Sequence, residues 1–189
     1  DLFRSLIDKI KDVFKISEDQ TSKVPLRIIS DHLRSVSFLI SDGVLPSNEG
    51  RGYVLRRILR RAIRQIYNLN IKEPIFYKLI PIIIEEMGLY YKELSIYKEL
   101  ISKTVETEES KFLETLEKGL KILDIENRRS KDKKIFSGKI AFKLYDTFGF
   151  PIDLTADVLK SNNKKIDMIE FEQEMKLQKE LSKKSWKGD

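Results

Sequence analysis

Residues 42–65 constrain the fold more than any other stretch, because their two halves have opposite characters. Residues 42–53 contain three glycines and a proline, which are typical of turns. On a helical wheel, residues 54–65 place apolar side chains on one side and arginines within an arc of about 140° on the other. The pattern predicts a glycine-rich loop that leads into an amphipathic helix, with Ser47 or Asn48 as its N-terminal cap.

The charged side of this predicted helix consists of arginine alone. Most charged helix faces are simply solvated, but they usually mix Lys with Glu at a spacing of four residues. Residues 51–64 include six arginines and no acid. Because a guanidinium group can form two parallel hydrogen bonds to one phosphate, the segment favours a polyanion as its partner. The predicted phosphate-binding residues are Arg51, Arg56, Arg57, Arg60, Arg61 and Arg64.

The composition agrees with an anionic partner and excludes several kinds of chemistry. The 189-residue chain has a net charge of +6 and a pI near 9.3, which favours nucleic acid. It has no cysteine and one histidine, so disulfides, thiolate zinc sites, cysteine nucleophiles and multi-histidine metal sites are excluded. The longest apolar run, residues 79–84, is too short to cross a bilayer, and no signal peptide is found, which predicts a cytoplasmic protein. Because the chain opens within a helical pattern and without Met, we expect a piece of a longer protein.

Helical periodicity extends over most of the chain, without an alternating strand pattern or a Pro-, Gly- or Ser-rich linker. We therefore predict an all-α helical bundle in which residues 1–134 and 135–189 are two parts of one functional unit. Gly43 should end the second helix, Pro81 should kink the fourth, and residues 127–134 should form a flexible basic loop. The predicted helices cover residues 1–15, 24–41, 54–65, 75–87, 93–128, a short stretch between Ser137 and Gly149, 154–159, and 168–184 capped by Asp167.

Two long segments resemble alanyl-tRNA synthetases. The first joins Arg27 and the sequence DHLR at 31–34 to DGVLPSNEGRGYVLRR at 42–57, and the second is AFKLYDTFGFPIDLT at 141–155. The opening residues 1–3 and the helix at 107–120, which begins TEE, are also similar to that family. The resemblance therefore covers essentially the whole chain.

The resemblance implies the internal tRNA-recognition region, which follows the aminoacylation domain and precedes the editing domain. The whole enzyme would attach alanine to its tRNA with ATP and Mg and would hold zinc in its editing domain, whereas this region would bind tRNA without a cofactor. Members of the family identify the acceptor stem by a G·U wobble pair, which an asparagine and an aspartate read. The motif match assigns these roles to Asn48 and Asp146.

The chemistry of both residues suits this role, although each has a simpler explanation. A wobble pair leaves the guanine amino group without its usual partner; a carboxylate can accept from it, and an amide can donate or accept beside it. Asn48 could instead cap the arginine helix, and Asp146 could cap a turn or pair with an arginine. If both residues read one base pair, they must converge beside the arginines.

The residues alone do not exclude two functions of other classes. One is a helical DNA-binding module with the arginine helix in a major groove, although the chain lacks a compact helix-turn-helix spacing. The other is a structural bundle without a nucleic-acid partner, whose arginines pair with acids of another domain. Both share the all-α fold, so binding experiments must separate them.

Overall fold

The computed structural model describes residues 2–130, 134–148, 150–160 and 162–185. Within these ranges most residues are helical, which confirms the all-α prediction. The elements are α1 (Leu2–Phe14), α2 (Lys23–Ser41), α3 (Gly50–Asn68), a 3₁₀ helix (Phe76–Leu79), α4 (Ile80–Met87), α5 (Lys92–Ile96), α6 (Lys98–Arg129), β1 (Ile135–Phe136), α7 (Gly138–Phe148), α8 (Ile152–Lys160), β2 (Lys165–Ile166) and α9 (Met168–Ser185).

The chain divides into two compact units, Asp1–Leu113 and Glu114–Asp189. The first unit is built around α2, which packs against α1, α3, α4 and α5. Burial of each large apolar side chain contributes about 1.5–3 kcal/mol. The apolar face of α2 is fully buried at Leu26, Ile29, Leu33, Val36 and Ile40.

The predicted functional division after residue 134 stays a prediction, because the two units are defined by compactness alone.

Turn chemistry sets two helix boundaries in the first unit. Gly43 has φ of 83°, and the next amide, Val44, donates to the carbonyl of Leu39 at 2.9 Å. This closure confirms Gly43 as the end of α2. The predicted kink at Pro81 is wrong, because this residue lies in the first turn of α4, where a missing N–H breaks no helical hydrogen bond.

Two short strands in the second unit were not predicted from the sequence. β1 pairs in parallel with β2, with Ile135 opposite Lys165 and Phe136 opposite Ile166. Strands of two residues are too short to produce a recognisable alternation of apolar and polar side chains. Phe136 is nevertheless almost fully buried, so the pair helps to enclose the core of this unit.

Residues 127–129, which were predicted to begin a flexible basic loop, belong to the C-terminal end of α6. The helix continues to Arg129, so the predicted loop at residues 127–134 is wrong in its first part; residues 131–133 lie outside the described residues. The reason is a buried lysine: Lys164 Nζ donates to the carbonyls of Asn127 at 3.1 Å and Ser130 at 2.7 Å. A cation at this position satisfies terminal carbonyl groups and opposes the helix dipole.

Two of the helices that follow, α7 and α9, begin at predicted caps. Ser137 Oγ accepts from the amide of Ile140 at 3.4 Å, and Asp167 Oδ1 accepts from the amide of Glu170 at 3.0 Å. Both caps therefore confirm the predicted starts of α7 and α9. None of the described helices combines the length and the hydrophobicity that a membrane crossing requires.

Candidate nucleic-acid interface

The glycine-rich loop folds back over the first turn of α3. A Cβ atom at Gly52 would overlap the carbonyl oxygen of Leu45 and the hydroxyl of Ser47. Gly50 has φ of 60°, a conformation that favours glycine. Two glycines therefore allow the loop backbone to approach α3 closely and then to enter the helix.

The predicted side-chain cap of α3 is wrong. The residue at the cap position is Glu49, and its side chain makes no capping hydrogen bond. Ser47 Oγ donates instead to the carbonyl of Glu49 at 2.6 Å, and the oxygen of Asn48 accepts from an arginine. Because both polar side chains are engaged elsewhere, neither reaches the amides of the first helical turn.

The arginine face of α3 is only partly open to solvent. Arg56 and Arg60 are half-buried, and Arg64 is only 8% exposed, so the arginines of α3 do not form one continuous solvent-facing stripe. Side chains of α6 cover part of this face: the Arg60 guanidinium lies 5.1 Å from the ring centre of Phe112. Burial lowers the pKa of Arg60, and the neighbouring charge of Arg56 lowers it further. The exposed members of the set are Arg51, Arg57 and Arg61.

Arg56 is the centre of a three-residue network. Its Nε and Nη2 atoms donate to the two carboxylate oxygens of Glu108 at 3.0 and 2.9 Å. Its Nη1 atom donates to Asn48 Oδ1 at 2.6 Å. The predicted base-reading asparagine and one predicted phosphate-binding arginine are therefore in direct contact, held by an acid to which sequence reasoning assigned no role.

The next residue on α6, Glu109, anchors another segment. Its carboxylate is fully buried and accepts from the backbone amides of Ile75, Phe76 and Tyr77 at 2.9, 2.8 and 3.1 Å. Burial raises the pKa of Glu109, although these three hydrogen bonds oppose the rise. This carboxylate fixes the start of the 3₁₀ helix, a role that the sequence did not indicate.

Asp146 lies on α7 in the second unit, and its side chain is exposed. Its side chain makes no hydrogen bond or ion pair with any described residue, so a pair with an arginine is not found within that part of the chain. The turn at Gly149, which Asp146 could cap instead, lies outside the described residues. Asn48 belongs to the first unit and is also exposed. The convergence of the two residues on one base pair stays a prediction.

Comparison with known proteins identifies the family to which the chain belongs. A model described as tRNA synthetases class II (A) matches residues 1–189. The chain belongs to this class II synthetase family. Alanine–tRNA ligases of Orientia tsutsugamushi (strain Boryong), Rickettsia prowazekii (strain Madrid E) and Rickettsia rickettsii (strain Sheila Smith) are 51%, 50% and 49% identical to it over 188 residues.

The match confirms the resemblance to alanyl-tRNA synthetases that the motifs indicated. It covers 100% of this synthetase chain but only 21% of the length of each of these curated relatives. Without cysteine and with one histidine, the chain cannot form a thiolate zinc site or a multi-histidine zinc site. Within the described ranges, no group of three or more His, Asp or Glu side chains is arranged to hold a metal ion.

Proposed function

We propose that this chain is the region of an alanine–tRNA ligase that recognises the tRNA acceptor stem. The observation that carries the proposal is similarity over the whole chain to proteins named alanine–tRNA ligase. The longer protein would attach alanine to its tRNA with ATP and Mg, and zinc would belong to a separate editing domain. This chain would contribute tRNA binding rather than catalysis.

The proposed base contacts follow from the chemistry of A-form RNA. Its helix is recognised by shape, phosphates, 2′-hydroxyl groups and the few base edges that are exposed. We propose that the carboxylate of Asp146 accepts from the guanine amino group of the G·U pair and that the amide of Asn48 contacts a neighbouring edge. Both side chains are exposed, which this role requires.

The arginines would bind phosphates and set the position of the RNA without reading its sequence. Arg51, Arg57 and Arg61 support this role best, because their side chains are exposed. Arg60 and Arg64 are more deeply buried, so phosphate contact would require their side chains to move.

Binding of two matched RNA hairpins tests the base contacts. One hairpin carries an acceptor stem with the G·U pair, and the other has G·C at that position. We expect Asn48→Ala and Asp146→Ala each to reduce discrimination between the hairpins by about 1–3 kcal/mol, the scale of one good base contact. All affinities are measured at one salt concentration, because phosphate binding depends strongly on salt.

Two exposed residues of the same types provide controls. Asn68→Ala at the end of α3 and Asp157→Ala on α8 should leave discrimination unchanged. Equal weakening of both hairpins by the Asn48 and Asp146 variants would refute base recognition. Tighter binding of duplex DNA than of either hairpin would favour a DNA-binding module, and absence of RNA binding at low salt would favour a structural bundle.

A further inference from the structure

The Arg56 guanidinium joins Asn48 to an acid that is 52 positions further along the chain than Arg56. Two of its nitrogens form a bidentate pair with Glu108, and a third donates to the asparagine oxygen. A bidentate pair fixes the plane of a guanidinium group, since the fork matches the carboxylate geometry. The direction of the third nitrogen is thereby fixed as well.

Solvent exposure increases across this network from Glu108 through Arg56 to Asn48. The side chain of Glu108 is 12% exposed and that of Arg56 is 21% exposed, whereas Asn48 is an exposed loop residue. The acid is therefore anchored within the first unit, and the asparagine lies at the open end. A solvent-exposed asparagine without such a contact would sample several rotamers, and RNA binding would have to select one of them.

We infer that Glu108 is a positioning residue for RNA recognition: by holding Arg56, it keeps the side chain of Asn48 in the orientation that meets the RNA. This inference rests on the proposed function, since it assigns Asn48 to the RNA contact. It also gives Arg56 a different role from the exposed arginines. Arg56 orients a neighbour, whereas Arg57 and Arg61 face the phosphates.

The charge of Glu108 gives this role a second measurable consequence. The carboxylate neutralises Arg56 locally and occupies two of its donors. Removal of the negative charge would release a guanidinium group next to the proposed RNA contact. Because each cation that binds a phosphate releases counterions, the salt dependence of RNA binding would become steeper.

The test is Glu108→Gln in the full chain, measured with the G·U and G·C hairpins. We expect the ratio of the two affinities to fall roughly 3- to 10-fold, which corresponds to the cost of ordering one polar side chain. Binding to the G·C hairpin should not weaken, and its salt slope should steepen by up to about one. A purely structural role for Glu108 would weaken both hairpins together and leave the slope unchanged.

A double variant checks that Glu108 acts through Asn48. In an Asn48→Ala background, Glu108→Gln should cause no further loss of discrimination, because the residue that it positions is already absent. Glu106→Gln is the matched control, since Glu106 lies on the same helix and pairs with Lys103 at 3.3 Å. This control should preserve both the discrimination and the salt slope.

A second variant covers the case in which Glu108→Gln unfolds the first unit. Arg56→Lys keeps the charge but cannot form the three directed hydrogen bonds, so it should lose discrimination to a similar extent. If Asn48→Ala retains wild-type discrimination, the proposed role of Asn48 is wrong. If Asn48→Ala loses discrimination but the folded Glu108→Gln or Arg56→Lys variant keeps it, the positioning role alone is wrong.

Discussion

Glu108 and Glu109 are consecutive on α6, yet they hold different regions of the first unit. Glu109 binds three backbone amides at residues 75–77 and is completely buried. Glu108 binds the side chain of Arg56, next to an exposed loop. Consecutive helical residues point about 100° apart, so one helix can serve both regions. Glu109 therefore anchors the fold, whereas Glu108 anchors a residue that we propose contacts RNA.

The largest expected effect is on stability and concerns Glu109. Glu109→Ala would leave three amides without an acceptor, two of them in buried residues and one in a partly buried residue, so we expect the free energy of unfolding of the first unit to fall by roughly 3 kcal/mol or more. Urea unfolding measures the change. Glu99→Ala, at an exposed position of the same helix, should have little effect. A loss below about 1 kcal/mol for Glu109→Ala would contradict the assignment of the amides to this carboxylate.

A smaller effect is expected in the pH dependence of stability. Burial raises the pKa of Glu109 above its ordinary value of 4.5, so the folded state binds the proton more tightly than the unfolded state. The stabilisation from Glu109 is therefore fully present below pH 4.5 and is lost as the pH rises through the raised pKa. Relative to Glu109→Gln, the wild-type chain should become less stable across this window.

Urea unfolding of both chains at a series of pH values measures this difference. Glu99→Gln, at an exposed position of the same helix, is the control variant. If the wild-type chain instead gains stability relative to Glu109→Gln as the pH rises, the three amides outweigh burial and the pKa of Glu109 is lowered.

The smallest expected effect distinguishes the exposed arginines from the one held by Glu108. Arg51→Gln and Arg61→Gln should each reduce the salt slope of RNA binding by about one and weaken both hairpins equally, because both side chains are exposed. Arg56→Gln should leave the slope nearly unchanged, because its charge is paired with Glu108. Binding titrations at several salt concentrations give the slopes. Equal slope changes for all three variants would remove the distinction between Arg56 and the exposed pair.

The sequence predicted the features that depend on nearby residues. The buried face of α2 and the Asp167 cap follow from periodicity and from one short polar side chain, both of which are local patterns. Within α3, the same reasoning correctly placed Leu55 and Leu59 in the core. It was wrong for Val54, which is 52% exposed and lines an open groove on the first unit.

The contacts that organise the candidate site could not be predicted in this way. Glu108 meets Arg56 only because α6 packs beside α3, and no spacing rule connects positions so far apart. The acids at 108–109 were visible as part of the family resemblance, but the side of α6 on which each would act depends on tertiary packing. Ser47 was misassigned for a different, local reason: its hydroxyl donates to the carbonyl of Glu49, two residues away, and so does not accept from an amide of the helix.

The path of the glycine-rich loop depends on the absence of a β-carbon at Gly52. The loop crosses α3 at the place where any other residue would carry its β-carbon. Even alanine there would push the crossing outward, and Asn48, which lies beyond the crossing, would be carried away from Arg56. A related protein with a larger residue at this position would therefore need a different loop path, and with it a different way of presenting an amide to its ligand.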